Sequence, residues 1–311
     1  MQWTDDVARG AWIGERTHWG STVTGTVPDG FERYARVFHP VPVSRMITDL
    51  DGIAAMPPIP GLPEELAGEL ADAPRYAEER WTWARTAEAL GATMHATAQW
   101  AAITGSADGF ATLPDGRSVG QTREGHLPPE QLAALVRLLP TTTPDDLTIA
   151  VWVGWGELNA GSKHIGLYFP LGVSRRERLR AEEEARRERE EALDPAVASA
   201  VRRRRGLLEL PNREYVLLTT TVDELAEPTW PQRAGLGWTP GPGWIGHGGP
   251  MPALVWPADR AWCIGSEIDV DSTVVAGSAE AITAIVRSDE VEALIVRPED
   301  DLGRDADHVN G

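Results

Sequence analysis

The chain has 311 residues, of which 42% are hydrophobic and 24% charged, and both values are ordinary for a globular protein. Its formal net charge of −18 disfavours a general nucleic-acid-binding surface, because the phosphates would be repelled. The single cysteine, Cys263, excludes an internal disulfide framework and a cysteine-rich zinc site. No apolar run approaches the roughly 18 residues of a membrane span, and the polar N-terminus lacks a signal-peptide pattern, so we expect a cytoplasmic protein that does not bind membranes.

The first half of the sequence predicts an N-terminal arm followed by strands and helices. Residues 1–27 carry three tryptophans and are expected to lie over the domain as an arm. We predict a strand over 31–43, a helix over 75–92 and a short proline-started helix over 129–139. Residues 147–155, LTIAVWVGW, are apolar at nearly every position, which is typical of a central strand covered on both faces.

Residues 174–206 differ from the rest of the chain in composition. They are rich in arginine and glutamate and have very few apolar side chains in their first half, while Pro195 must break or restart any helix there. A helix without an apolar stripe has nothing to bury against a core. We therefore expect a solvent-facing helical insertion that is not part of the core.

The second half of the sequence predicts mainly strands. The predicted strands cover 214–220, 253–256, 260–269, 272–275 and 293–296, with a helix over 279–287 that Ser278 caps. Residues 228–250 are too rich in proline, glycine and tryptophan for regular structure, and 299–311 are expected to be a flexible acidic tail. Helices and strands without strict βαβ alternation favour the α+β class. We expect one domain over 1–298, with a mixed or mainly antiparallel sheet, helices on one side and the charged helical insertion 174–206.

Three carboxylates form the sharpest chemical signal. In an extended strand, Glu267, Asp269 and Asp271 fall on one face at every second residue. They are candidates for an acid/base pair or a cation site, or else they are a solvated strand face paired with arginines. One straight strand can aim only two carboxylates at one point. We therefore predict no high-affinity metal site and no cofactor, and we expect at least one carboxylate to pair with an arginine from a neighbouring element. Asp271 is expected to turn toward the start of the last helix, where the amides near Ser278 and Ala279 favour negative charge.

The loop 228–250 supplies a second set of candidates. Trp238 and Trp244, near Trp256, form in this hypothesis an aromatic wall for a sugar, a base, or a proline of a partner protein. The alternative is that the indoles simply hold a long loop against the domain. His247 is a weak catalytic candidate, because the glycines on both sides of it would let a ligand approach closely.

Several segments together resemble a known family. They are VPDGFERYARVFHPV, the tryptophan-rich helix from Trp81, TTTPDDLTIAVWVGWG, REYVLL and WPADRAWCIGSEIDVDSTVVAGSAEAI. This pattern is similar to a family of uncharacterised actinobacterial cytoplasmic proteins with no assigned activity, over most of residues 26–297 apart from the insertion. The resemblance implies a cytoplasmic location and a single compact domain, and it implies no catalytic residue.

Two functions follow from these patterns. The first is a non-enzymatic binding or regulatory protein, for example an immunity-like one, that recognises a protein partner with its acidic surface and tryptophan-bearing loops. The alternative is a small-molecule or sugar-binding enzyme with a cleft lined by carboxylates and tryptophans. The binding protein should show the three carboxylates on a convex face, whereas the enzyme should show at least two of them in a cleft with Trp238 or Trp244.

Overall fold

The structure is a computed structural model that describes residues 1–47, 75–158, 174–240 and 247–311. The strands, in chain order, are β1 Gln2–Thr4, β2 Arg33–Phe38, β3 Val41–Ile47, β4 Arg75–Trp81, β5 Ala111–Thr112, β6 Ser118–Val119, β7 Leu147–Trp152, β8 Leu208–Leu210, β9 Arg213–Thr220, β10 Thr239–Pro240, β11 His247–Gly248, β12 Leu254–Pro257, β13 Cys263–Ser266, β14 Ser272–Gly277 and β15 Ala293–Val296. The α-helices are α1 Ala11–Arg16, α2 Val23–Thr26, α3 Trp83–Leu90, α4 Trp100–Thr104, α5 Pro129–Leu138, α6 Arg175–Ala192, α7 Pro195–Arg203, α8 Val222–Leu225 and α9 Ala279–Val286, and short 3-10 helices cover Val7–Gly10 and Trp230–Arg233.

Nine of these strands form one antiparallel sheet. Its order is β1-β9-β7-β12-β13-β14-β2-β15, and β8 pairs with β9. A smaller antiparallel sheet has the order β4-β3-β6-β5, and β10 pairs with β11. Helices account for about 29% and strands for about 26% of the chain, so the predicted α+β class and the antiparallel sheet are confirmed.

The large sheet is buried on both faces. On β7, Ile149 and Val151 join the core on one face, and Ala150, between them, joins the core on the other. The apolar run predicted over 147–155 is therefore a central strand between β9 and β12, although it ends at Trp152. Alternation of side chains along a strand explains how one nearly continuous apolar sequence supplies two cores.

Helices cover both faces of the sheet, although unequally, so the prediction of helices on one side is only partly right. Helices α5, α7, α8 and α9 pack their apolar residues into the core that contains Ile149. The N-terminal arm packs α1 and α2 against the opposite face, through Trp12, Ile13 and Val23. That second core also holds Cys263, which is fully buried in the middle of the sheet and whose thiol pKa is raised by burial.

The smaller sheet corrects one predicted element. Residues 75–81, predicted as the start of a helix, form strand β4, because they pair along the whole length of β3. The helix begins only after Thr82, whose hydroxyl accepts a hydrogen bond from the Arg85 amide. It ends at Gly91, which has the left-handed φ of 76° that favours glycine. Long-range strand pairing has overridden the local helical preference here.

The charged insertion is two helices with different surroundings. Helix α6 begins with a capping box formed by Ser174 and Glu177, and its described side chains are exposed. Helix α7 is capped by Asp194, and Leu193, Val197 and Ala200 are buried in the core on the helix-rich face. The prediction that all of 174–206 lies outside the core is therefore wrong for the second half of the segment.

The C-terminal residues are also packed, not frayed as the sequence predicted. Leu302 and Ala306 are buried. The Asp307 carboxylate accepts a hydrogen bond of 3.1 Å from the Gln99 amide and one of 2.9 Å from the Asn310 amide. These contacts fix residues 299–311 beside α4, where Leu302, Gly303 and Arg304 border a cleft described below.

Candidate functional site

The three predicted carboxylates lie in a turn, not on one strand face. Strand β13 ends at Ser266 and β14 begins at Ser272, so residues 267–271 reverse the chain between them. The Glu267 side chain is 30% exposed, that of Asp269 75% and that of Asp271 16%. The prediction of a single polar strand face is wrong, and the three carboxylates have different environments.

Two of the carboxylates share one arginine. Arg213, at the start of β9, places Nη2 at 2.5 Å from Glu267 Oε1 and at 3.2 Å from Asp269 Oδ2. The predicted pairing with an arginine of a neighbouring element is confirmed. The guanidinium also lies over the ring of Trp152 at 5.3 Å, so the turn, β9 and the end of β7 are tied together.

The third carboxylate points inward and faces a buried arginine. Asp271 Oδ1 lies 3.7 Å from Nη2 of Arg36, and its Oδ2 accepts a 2.9 Å hydrogen bond from the Thr122 hydroxyl. Burial raises the pKa of Asp271, while Arg36 and Thr122 act in the opposite direction. We had expected Asp271 to turn toward the start of the helix at Ala279, and that expectation is wrong.

Arg36 is held in a fixed position by neutral acceptors. Its Nε donates to Ser272 Oγ at 2.8 Å, and its Nη1 donates to the Ala98 carbonyl at 2.7 Å and to that of Ala96 at 3.2 Å. Burial lowers the pKa of this fully buried guanidinium to about 10, against the opposing effect of Asp271. Arg36 remains charged at neutral pH and orients Asp271 from behind.

Asp271 lies at the wall of a cleft of about 700 Å³, which we call the carboxylate cleft. Its polar lining includes the carboxylates of Glu124, Asp269 and Asp271, and its aromatic lining comprises Trp100, Trp152 and Trp155. Partial burial, together with the carboxylates of Asp271 and Asp269, raises the pKa of Glu124. Two carboxyl groups with raised pKa values therefore line the same aromatic cleft, which is an arrangement common at functional sites.

A glycine lets the loop that carries Glu124 lie against the turn. Gly125 has a φ of 62°, and its amide donates a 2.8 Å hydrogen bond to the Val270 carbonyl. A Cβ at this position would lie 2.6 Å from the Cα of Ile268, which is closer than backbone atoms can accommodate. The contact between the loop and the turn thus requires glycine, and it brings Glu124 to the same cleft as Asp271.

A buried histidine anchors the same loop from the other side. His39 Nδ1 lies 2.6 Å from the Arg123 carbonyl, which can only accept, so Nδ1 carries the proton. Its Nε2 then accepts from the Thr273 hydroxyl at 2.9 Å, and Thr273 in turn accepts from Ser266 at 2.6 Å. Burial lowers the pKa of His39 to about 4, so the ring is neutral at pH 7.

A second cleft lies on the other side of this loop, and we call it the proline cleft. It has a volume of about 350 Å³ and is lined by six prolines together with His39, Arg80, Arg123, His126, Glu130, Thr229, Gln232 and Trp238. Trp238, a predicted ligand-binding residue, therefore lines this cleft and does not line the carboxylate cleft with Asp269 and Asp271. Trp152 and Trp155 instead accompany Asp269 and Asp271, and the sequence had given them only a place in the central strand.

The remaining candidates fall in the core or outside the described residues. Trp256 is 1% exposed and lies edge-on to Trp12 at 6.3 Å, so its ring has no surface for a ligand and the predicted binding role loses its basis. Trp244 lies outside the described residues, as does the side chain of His247, whose backbone belongs to β11. Over the described ranges, no group of three or more His, Cys, Asp or Glu side chains is placed to hold a metal ion.

Comparisons with known proteins add no family assignment. The chain matches no model of a protein family, no curated protein and no solved structure. The resemblance stated from the sequence therefore stays a prediction. Among the helices that the structure describes, none combines the length and apolar character needed to cross a bilayer.

Proposed function

We propose that the chain is a sugar-binding enzyme whose active site is the carboxylate cleft. The observation that carries the proposal is the pair Glu124 and Asp271, two carboxyl groups with raised pKa values in a cleft with three tryptophans. Carboxylates accept hydrogen bonds from sugar hydroxyls, and indole rings pack on the apolar faces of sugars. The enzyme hypothesis required at least two of the three carboxylates in a cleft with Trp238 or Trp244. Asp269 and Asp271 do line one cleft, but its tryptophans are Trp100, Trp152 and Trp155.

The two carboxyl groups have environments suited to different roles. Asp271 faces the positive charge of Arg36 and accepts a hydrogen bond from Thr122, and both contacts favour the ionised form. Partial burial favours the protonated form of Glu124, and the nearby negative charges of Asp271 and Asp269 act in the same direction. Glycosidic bonds are hydrolysed by such a pair, one residue protonating the leaving oxygen and the other acting as base or nucleophile. Glu124 is the proposed acid and Asp271 the proposed base or nucleophile.

Saturation-transfer NMR with a panel of oligosaccharides, together with hydrolysis of nitrophenyl glycosides, tests this function. We expect at least one glycan to bind and one glycoside to be hydrolysed, with Glu124→Gln lowering the hydrolysis rate by about 10²–10⁴-fold while binding persists. Glu88→Gln is the matched control, since Glu88 is an exposed glutamate on α3, remote from the cleft lining. The proposal fails if no glycan binds or if both variants hydrolyse equally well.

A second candidate function is recognition of a protein partner through α6. This helix has 18 residues, and its described side chains are exposed, including Leu179 at 55%. Most helices in proteins are stabilised by packing of an apolar face, and α6 has no such packing within the described part of its own chain. We propose that a cytoplasmic protein partner, in an immunity-like or regulatory complex, binds α6 through its exposed charged side chains.

Replacement of residues 175–192 by a Gly/Ser linker separates the two functions. For the second candidate, we expect the variant to lose a partner that crosslinks to the intact chain in its native host, while glycan binding in the carboxylate cleft is unchanged. A partner that crosslinks equally well to the linker variant would show that α6 is not the recognition element. The folded state should be retained, because α7, which does pack into the core, is left in place.

A further inference from the structure

The proline cleft has walls that are both apolar and rigid. Its six prolines come from separate parts of the chain, namely the β2–β3 connection and β3, the start of α5, and the segment around the 3-10 helix Trp230–Arg233. They are Pro40, Pro42, Pro128, Pro129, Pro228 and Pro231. A proline has no amide proton and a fixed φ, so these walls offer few hydrogen-bond donors and lose little entropy when they are covered.

An aromatic wall is already in place at the same cleft. Trp238 Nε1 donates a 3.0 Å hydrogen bond to the Pro250 carbonyl, and the ring lies edge-on to buried Trp230 at 6.0 Å. The ring also packs on Gly249, where a Cβ would lie 2.4 Å from the indole. His126 lies at 5.7 Å from Trp238 with an angle of 34° between the rings. The indole is thus fixed by contacts on several sides and need not rearrange to receive a ligand.

The net charge of the residues that line the proline cleft is opposite in sign to the net charge of the whole chain. Arg80 and Arg123 contribute two positive charges to the lining and Glu130 one negative charge, whereas the chain carries −18 overall. His39 is neutral at pH 7, because burial lowers its pKa to about 4. Glu130 is paired with Arg80 at the mouth of the cleft. The lining therefore keeps an excess of one positive charge, which favours an anion, although the protein as a whole repels one.

We propose that the proline cleft is a binding site for a small aromatic carboxylate. The ring lies between Trp238 and the proline wall, and the carboxylate lies toward the guanidinium groups of Arg80 and Arg123. A volume of about 350 Å³ is at the small end of ligand sites and fits a molecule of one or two rings. The proposal does not rest on the proposed glycosidase function, and among the described lining residues the two clefts have only Arg123 in common.

Calorimetric titration of the full chain with 2-naphthoate tests the site, with naphthalen-2-ylmethylammonium and cyclohexanecarboxylate as comparison probes. We expect naphthoate to bind at micromolar to millimolar concentration and both comparison probes to bind at least about tenfold more weakly, since one lacks the negative charge and the other the aromatic ring. Equal binding of the ammonium probe, or no binding of naphthoate at millimolar concentration, overturns the proposal.

Two pairs of variants locate the binding. Arg80→Glu should weaken naphthoate binding about tenfold, whereas Arg85→Glu should leave it unchanged. These arginines match in exposure, at 56% and 55% of their side chains, and both substitutions change the net charge equally. Trp238→Leu should abolish binding; if that variant does not fold, Thr229→Phe, at an exposed lining residue, should fill the cleft and abolish binding. Equal affinity in the two arginine variants, or unchanged binding in Thr229→Phe, contradicts the assignment.

Discussion

The two clefts lie on opposite sides of the loop 121–126, and their walls are held in different ways. The carboxylate cleft depends on a buried ion pair, in which Arg36 faces Asp271, and on the hydrogen bond that Asp271 accepts from Thr122. The proline cleft depends on proline rings and on an indole packed against other aromatic side chains. A wall built from charges is sensitive to the loss of one partner, whereas a wall that contains several proline rings loses little stability when one proline ring is removed. Stability measurements should therefore separate the two clefts.

The largest effect is expected when Arg36 is replaced. Arg36→Met leaves the carboxyl group of Asp271 buried without its cation, and we expect a loss of about 3–5 kcal/mol in the free energy of unfolding. Urea denaturation measures this loss. The double variant Arg36→Met/Asp271→Asn should recover part of it, because the uncompensated charge is gone. A double variant no more stable than the single one would show that the lost hydrogen bonds of Arg36, and not the charge of Asp271, account for the cost.

The next effect is a dependence of stability on pH through His39. Its pKa is lowered by burial from the ordinary 6.5 to about 4, with Arg36 and Arg123 also opposing protonation. The unfolded chain therefore binds more protons between these values, so stability is fully present above about pH 6.5 and falls as the pH drops toward 4. The loss from His39 should reach about 3 kcal/mol.

Urea titrations of the wild type and His39→Asn between pH 7 and pH 4.5 isolate this contribution. The variant should be less stable at pH 7 but should lose less stability on acidification, because asparagine cannot take up the proton. Parallel curves for the two proteins would contradict the assignment of the pH dependence to His39.

A smaller effect is expected at the loop itself. Gly125→Ala combines a left-handed backbone with a Cβ that meets the Cα of Ile268, so the loop must move away from the turn. We expect a loss of about 1–3 kcal/mol. Thermal unfolding measures it, and Gly116→Ala, at a φ of 85° with no atom near the added Cβ, is a control for the backbone strain alone. Equal losses in the two variants would mean that the contact with Ile268 is unimportant.

The smallest effect is expected in the proline cleft. Pro129→Ala, at the first turn of α5, removes one ring of the wall and increases the freedom of the unfolded chain, with an expected cost of about 0.5–1 kcal/mol. Comparison of this variant with Arg36→Met in the same urea experiment tests the contrast between the clefts directly. A loss in the free energy of unfolding as large as that of Arg36→Met would contradict the expected difference between the two clefts.

Much of the fold followed from the sequence because its signals are local. The central strand β7, the helix α9 with its Ser278 cap and the neighbouring strands of the second half lie close to where periodicity predicted them. Strand β4 was not predicted, because its conformation is imposed by pairing with β3 and not by its own residues. Local preferences cannot report a pairing between distant segments.

The candidate site was only partly predictable for a related reason. The alternation of polar and apolar residues continues through Glu267, Ile268, Asp269, Val270 and Asp271, so it gives no sign that the chain turns there. Glu124 reaches Asp271 only because Gly125 lets a distant loop lie on that turn. Arg36 was the one visible clue, since a charged residue within the apolar strand YARVF must have buried partners.

The burial of Cys263 gives the molecule an intrinsic reporter of its own opening. Its sulfur lies at the centre of the large sheet, and the raised pKa of the thiol keeps it in the unreactive protonated form. A thiol reagent in solution can reach it only when the N-terminal arm lifts from this face or when β12, β13 and β14 separate. Because the chain has one cysteine, the rate of labelling reports such openings at a single site, and it could rank the variants above by how often this core opens, with no engineered residue.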